Sequence, residues 1–374
     1  MKKNKNILEV CFSPDLGGLE LYMQNCAKDL SEKFNVLSVI NTNSKLKNYF
    51  INSSYKYIEL ERKSSFSIKL IWKLSKIIDN YEIDMIHFHW TKDLPIIVFA
   101  KLLSKQKPKI IQTRHMTMTR FKNDFYHKFL YKNIDTIICV TKELENQIQK
   151  FISSEIRPKT KVLYLGIKDV NYFKKEDITK FRDELYVKNS FMIGFVGRIN
   201  EFKGQYLLIE AAKELIDKGL DIKIYFVGSA MNEDYLDLLK EKVKDYGLEN
   251  KIFFLGFITE PNKFIQTCDV IVAASKNETF GLVVIEAMKN KVAVIASRNG
   301  GFLEIIDDET NGLLFENQNS KDLALKIECL YRDNKYKELL ALNGKKKADE
   351  VFNHNNQFEK LKDILENIDT DVKK

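Results

Sequence analysis

The chain has 374 residues, 44% hydrophobic and 30% charged, with only 15 Gly and 5 Pro. That is the balance of a globular protein of about two domains and excludes a fibrous or low-complexity chain. The formal charge of +8 is unevenly placed: residues 1–168 hold 29 Lys+Arg against 16 Asp+Glu, a net +13, and residues 169–374 hold 31 against 36, a net −5. A basic first half implies an anionic partner: nucleic acid, acidic lipid or a phosphorylated substrate.

From the start, MKKNKNILEVCF is basic and then apolar, like the head of a signal peptide, but Glu9 breaks the apolar run and no small-residue cleavage site follows. It reads as a tail leading into a buried strand. Short runs rich in Val, Ile and Phe then recur at 7–13, 36–42, 84–90, 109–115, 136–141 and 161–166, and again at 191–197, 222–228, 251–257, 270–275, 292–297 and 312–316. Continuous apolar runs indicate strands buried on both faces, hence parallel sheets covered by helices. The segments 205–219 and 235–247 carry helical periodicity and end in Gly, as helices prefer. The expected fold class is α/β, with two doubly wound, Rossmann-like domains facing across a cleft. The expected divisions are 1–168, a linker at 169–190, 191–352, and a C-terminal helix within 353–374 that crosses back to the first domain. The longest uncharged apolar run, Leu94 to Ala100, is far short of the ~20 residues needed to cross a bilayer.

The densest basic stretch, 114–133, has five Lys/Arg against one Asp. Phe121, Phe125, Phe129, Tyr126 and Leu130 recur there at helical spacing among Lys122, Lys128 and Lys132. That pattern fits either a basic amphipathic helix resting on anionic headgroups or an ordinary helix with a solvated face. No zinc-finger, RNP-like or helix-turn-helix signature supports nucleic acid. Five dispersed Cys (11, 26, 139, 268 and 329) without a C-x-x-C pair suit neither a disulfide framework nor a zinc site, and point to a reducing, cytoplasmic setting.

Ligands of open parallel sheets bind beyond the carboxyl ends of the strands, so chemistry is sought there. After 191–197, Arg198 and Lys203 flank a turn that opens a helix and can hold a diphosphate together with free helix amides. After 270–275, Glu278 lies in a loop, Phe280-Gly281-Leu282 open a helix, and Glu286 follows within an otherwise apolar stretch. A carboxylate there asks for hydroxyl partners or a cation. His115 falls at the carboxyl end of a buried run. His87 and His89 alternate in DMIHFHW, which places one in each layer or at the cleft mouth; a metal site from them and a carboxylate has no second ligand cluster in view. His127 and His354 read as surface residues.

GRINEFKG (197–204), then SKNETFGLVVIEAM (275–288) and VAVIASRNGGFLEIIDDETNGLLFE (292–316) resemble the retaining family-four glycosyltransferases of the GT-B fold. Their signature, two Glu separated by seven residues, is matched by Glu278 and Glu286. SPDLGGLELYMQNCAKDL (13–30), DMIHFHW and IIQTRHMTMT resemble the same family more loosely. The resemblance implies that Arg198 and Lys203 hold and stabilise the departing diphosphate. Glu278 would bind the transferred sugar and Glu286 the ribose. The backbone of Phe280, Gly281 and Leu282 would meet the sugar and phosphate. Loops at Gly197, Gly228, Gly256 and Phe257 would flank the nucleotide, Gly17 and Gly18 would let phosphate and acceptor approach, and His115 would face the reacting sugar. Leu303 stands where the family often has Pro.

The expected activity is transfer of a hexose-type sugar, with retention, from a nucleotide diphosphate sugar (UDP ahead of GDP) to a saccharide or lipid-linked acceptor of cell-surface polysaccharide, lipopolysaccharide or glycolipid synthesis. No further cofactor is expected, and the protein is expected to sit peripherally on the inner face of the cell membrane. The only Asp-x-Asp triplet, Asp369-Thr370-Asp371, lies in the polar tail, so stabilisation by cations and helix amides is expected in place of a metal. A sugar-nucleotide epimerase or hydrolase of the same fold, or a silent nucleotide-sugar-binding protein, are the rival readings. A nicotinamide dehydrogenase is disfavoured, since no G-x-G-x-x-G follows the first strand of either half.

Overall fold

A computed structural model describes residues 4–51, 53–64 and 66–368. The triplet Asp369-Thr370-Asp371 lies outside the described residues. The chain divides into two compact units, one running to Leu165 and resuming at Asn355, the other Gly166–His354.

The first unit holds seven strands: β1 (Asn6–Cys11), β2 (Asn35–Asn41), β3 (Tyr57–Leu60), β4 (Met85–Phe88), β5 (Lys109–Arg114), β6 (Thr136–Cys139) and β7 (Lys159–Val162). The second holds six: β8 (Phe191–Val196), β9 (Ile222–Val227), β10 (Ile252–Gly256), β11 (Val270–Ala273), β12 (Ala293–Ser297) and β13 (Leu313–Phe315). Their orders are β3-β2-β1-β4-β5-β6-β7 and β10-β9-β8-β11-β12-β13, and every paired strand runs parallel. Each sheet therefore starts in its middle, winds to one edge, then returns to wind the other way. The reversal leaves a crevice between the first and fourth strands of each unit, β1/β4 and β8/β11.

The apolar runs became strands because they lose water on both faces: Ile7, Leu8 and Val10 of β1 and Ile193 of β8 are wholly buried. Side-chain caps set several helix starts, with Ser67 accepting from the Leu70 amide and Thr141 from that of Leu144. β3 had no apolar run to reveal it, because its YIEL is an edge strand with a charged residue. The C-terminal helix His354–Glu366 lies on the first unit, where Phe358 packs 5.6 Å from Tyr22 and Lys362 pairs with Glu32 at 2.6 Å.

The stretch 114–133 is not one helix. Only Phe125–Lys132 is helical, because Asp124 caps it through the His127 amide. The preceding residues are tied to the helix Lys142–Phe151, with the Met118 amide donating to Gln147 and the Lys122 amide to the Phe151 carbonyl. Phe121 is thus off the helix, edge-on to Phe151 at 5.3 Å, while Leu130 and Tyr131 turn into the core. Phe125 and Tyr126 remain exposed.

Candidate functional site

In the second unit the predicted residues gather at the carboxyl ends of β8, β9, β10 and β11. The backbones of Gly197, Gly228 and Gly256 lie side by side: the Gly197 amide donates to the Val227 carbonyl and that of Gly228 to the Gly256 carbonyl, both at 2.8 Å. Gly228 has φ +142, and a Cβ there would stand 2.0 Å from the Gly197 oxygen, so only glycine permits this approach. Phe257, just past β10, is exposed.

Arg198 follows β8 and is exposed, and among the described residues no carboxylate pairs with its guanidinium. Its carbonyl accepts from the Gln205 side chain at 3.0 Å, which braces the turn. Asn200 caps the next turn through the Lys203 amide. The Lys203 ammonium then reaches Glu278, with 2.8 Å between Nζ and Oε2. The same oxygen accepts from the Ser275 hydroxyl at 2.9 Å, and Oε1 accepts from the Thr279 amide at 3.2 Å. Burial alone would raise the Glu278 pKa; the Lys203 charge and the bonds from Lys203 and Ser275 outweigh it and hold the carboxyl below its ordinary value. Glu278 is therefore an anion fixed by a network. Asn299 holds the loop in turn, accepting from the Glu278 amide at 3.0 Å and donating to the Ser275 carbonyl at 2.8 Å.

Gly281 precedes the helix Leu282–Lys289 at φ +103, and a Cβ would meet the Phe302 ring at 2.6 Å. Phe280 buries its ring edge-on to Phe352 at 6.0 Å, so only its backbone is available to a ligand. The first amides of this helix have no partners within it, as at every helix start. Glu286, half-buried one turn on, has a carboxylate without hydrogen bond or ion pair among the described residues, and burial raises its pKa. A free cation, free amides, an anchored carboxylate and an unpaired one thus share one sheet edge at the crevice of the second unit. The arrangement suits a ligand with anionic oxygens and several hydroxyls.

In the first unit Gly17 caps the helix Gly18–Asp29 at the end of the β1 loop. His115 follows β5, part-buried, edge-on to Tyr22 at 5.2 Å and 5.7 Å from the His89 ring. Burial, with His89 and His87 nearby, holds its pKa well below the ordinary value, so the ring is neutral.

His87 and His89 do not point to opposite layers. Residues two apart on a strand share a face, and Glu9 is the register partner of His87 on β1. All three meet: His87 Nδ1 lies 2.8 Å from one Glu9 oxygen, His89 Nε2 2.8 Å from the other, and His87 Nε2 2.7 Å from the Thr113 hydroxyl. Burial raises the Glu9 pKa, but the His87 charge and both imidazole bonds outweigh it and hold the carboxyl down at about 2. Burial holds His89 at about 4. Cys26 brings its sulfur within 4.8 Å of the donor atoms of Glu9, His87 and His89, so a carboxylate and a thiol that the sequence did not place there join the two histidines in one group. Here the carboxylate is bonded to both imidazoles. Sequence reasoning missed Glu9 and Cys26, although one charged residue within an apolar strand run was the available signal. It also missed Ser275, whose hydroxyl donates to the Glu278 carboxylate, and Asn200 and Asn299, whose side chains hold loop amides that no spacing reveals.

The family described as glycosyl transferases group 1 matches residues 176–347, and that described as glycosyl transferase 4-like matches 9–141. An uncharacterized glycosyltransferase of Methanocaldococcus jannaschii is 28% identical over 355 residues, 91% of this chain and 92% of that protein. The N-acetylgalactosamine-N,N'-diacetylbacillosaminyl-diphospho-undecaprenol 4-alpha-N-acetylgalactosaminyltransferase of Campylobacter jejuni is 26% identical over 354 residues, 90% of this chain and 93% of that enzyme. The crystal structure of Anabaena HepE in complex with UDP and glucose superposes with a TM-score of 0.86 at 24% identity, covering 97% of this chain and all of that one. The two parallel-sheet units are those of the GT-B fold.

Proposed function

Because the chain belongs to the group 1 glycosyltransferases, we propose that it transfers a hexose-type sugar, with retention of anomeric configuration, from a UDP-sugar or a closely similar donor. The observation that carries this reading is the set at the β8/β11 crevice: unpaired Arg198, the Lys203–Glu278 pair, the Leu282–Lys289 helix start and unpaired Glu286. Arg198, Lys203 and the helix amides neutralise the charge that grows on the departing diphosphate. Glu278, its orientation fixed by Ser275 and Thr279, accepts from hydroxyls of the transferred sugar. Glu286 takes the ribose diol, which meets the need of a carboxyl that burial disfavours as an anion. His115, neutral, serves as a hydrogen-bonding group for a sugar hydroxyl. HepE is named in complex with UDP and glucose, which supports UDP as the donor nucleotide.

The acceptor is proposed to be a lipid-linked or membrane-borne saccharide of cell-surface glycan synthesis. The Campylobacter relative's diphospho-undecaprenol substrate supports this, as do the net +13 of residues 1–168 and the exposed Phe121, Phe125 and Tyr126 among Lys122, Lys128 and Lys132. Among the described residues no helix is long and apolar enough to cross a membrane, so contact would be peripheral. The test is to incubate the protein with UDP-hexoses and diphospholipid saccharides and to read the product's anomeric configuration by NMR. Retention supports the reading, and an inverted product refutes it. Cations and amides carry the leaving-group charge in this proposal, so EDTA is expected to leave the rate nearly unchanged. Complete loss of activity restored by Mn²⁺ would contradict that part.

A further inference from the structure

Helices Ile68–Asn80 and Leu94–Leu103 pack together in the first unit and leave a groove of about 340 Å³ lined by Phe66, Ile68, Ile71, Phe99, Leu102 and Leu103. Its rim is apolar and open to solvent: Ile68 is 76% exposed, Leu103 56% and Trp72 53%. Phe66 meets Phe99 at 5.4 Å, and Phe99 meets Phe129 at 5.6 Å, while no residue of the helix Phe125–Lys132 lines the groove itself. An apolar patch of this kind on a folded domain marks an interaction surface.

The surrounding charge selects the partner. From Arg62 to Ile78 the chain carries five Lys/Arg and no Asp/Glu, and from Leu94 to Lys109 four and none. Arg62 pairs with Asp93, Lys63 with Glu61, and Lys101 and Lys109 with Asp135, which leaves Lys69, Lys73, Lys76, Lys105 and Lys107 without a carboxylate among the described residues. Lys69 and Lys73 are exposed and unpaired among the described residues, and Lys76 stands 5.9 Å from the Trp72 ring. The flanking acids are engaged, Glu61 with Lys63 at 3.3 Å and Asp79 with the Lys105 amide at 2.7 Å. A second copy of this chain would bring the same cations together on closing the patch, which works against self-association. The partner must be anionic at its surface and apolar beneath.

We infer that this helix pair seats the protein on an anionic bilayer, with Ile68, Trp72 and Leu103 among the acyl chains, Lys69 and Lys73 at the headgroups, and a hydrocarbon chain in the groove. The inference rests on the membrane-borne acceptor proposed above and assigns the contact to a different surface from the helix Phe125–Lys132.

The two tryptophans, Trp72 and Trp90, allow a direct test. A Trp90→Phe protein reports only Trp72. It is mixed with vesicles of phosphatidylcholine and phosphatidylglycerol, or of phosphatidylcholine alone. With the anionic vesicles Trp72 emission shifts to the blue, is quenched by brominated acyl chains, and recovers as salt is raised. The triple variant Ile68→Ser, Lys69→Gln, Lys73→Gln, all at exposed positions, binds about tenfold more weakly or worse. If vesicles bind while Trp72 emission stays unchanged, and Phe125→Ser with Lys128→Gln removes the binding, this seat is overturned and the membrane reading stands. If nothing binds while sugar still passes to a soluble acceptor, both are overturned and the transferase reading stands. A blue shift that follows protein concentration without vesicles identifies a second copy as the occupant and overturns the proposal.

Discussion

Lys203→Ala and Glu286→Ala should each slow sugar transfer by ~10²–10³-fold, the loss seen when one stabilising group is removed from a charged transition state. The two variants should fail differently. Lys203 both faces the diphosphate and holds Glu278 at 2.8 Å, so its loss removes a cation and releases the carboxylate it orients. With that cation gone, burial raises the Glu278 pKa from its present depressed position. The Lys203→Ala rate should therefore rise with pH over a range where the parent is flat. Among the described residues Glu286 has no partner to strand, and burial already disfavours its charged form. Glu286→Ala should keep or slightly raise folding stability, so its lost turnover cannot come from unfolding. Steady-state rates with matched urea melts decide the matter; near-parental turnover in both variants would remove these residues from the mechanism.

The largest effect on stability is expected at Glu9. Its carboxylate receives two buried imidazoles, and Glu9→Ala would leave both without their acceptor, costing about 3–5 kcal/mol. Glu9→Gln keeps the shape and one acceptor and should cost less. The pH dependence follows from the two shifted groups. His89 titrates at about 4 in the folded protein against an ordinary 6.5, so the unfolded chain takes up the proton first and stability falls as pH drops through that interval. Glu9 titrates at about 2 against an ordinary 4.5, so its contribution is complete above 4.5 and is lost as pH falls from there toward 2. The parent should lose stability continuously on acidification, and Glu9→Ala should lack the lower limb. Urea midpoints that stay level from neutral pH to about 4 would contradict the account.

The parts legible in the sequence were those whose physics is local. Among the described residues, continuous apolar runs marked eleven of the thirteen strands, because a strand buried on both faces has no polar alternation to disguise it. The run at 161–166 overlaps the half-exposed edge strand β7 (Lys159–Val162) by two residues only. β3 escaped because it is an edge, half-exposed and carrying Glu59. Arg198, Lys203, Glu278 and Glu286 stood out because ionisable groups directly after buried strands have few structural reasons to be there. The pairing of Lys203 with Glu278 was not legible, since residues 75 apart meet only once the β8 and β11 ends lie side by side. The histidines failed for the opposite reason: the two-residue strand period was misapplied to His87 and His89, and nothing local links them to Glu9, 78 residues away. The helical spacing across 114–133 misled because periodicity records compatible faces, whereas the Asp124 cap and the bonds to Gln147 and Phe151 decide where helix begins.

The central claim is that the second unit grips a nucleoside diphosphate through Arg198 and Lys203. Calorimetric titration of UDP, GDP and ADP into the parent and into an Arg198→Ala, Lys203→Ala double variant tests it most directly. The account predicts one saturable site for one of these nucleotides in the parent, with thermal stabilisation growing to about 2.7 kcal/mol at a hundredfold excess over Kd, and loss of that site in the double variant. Binding of none of the three, or equal binding to both proteins, would contradict it.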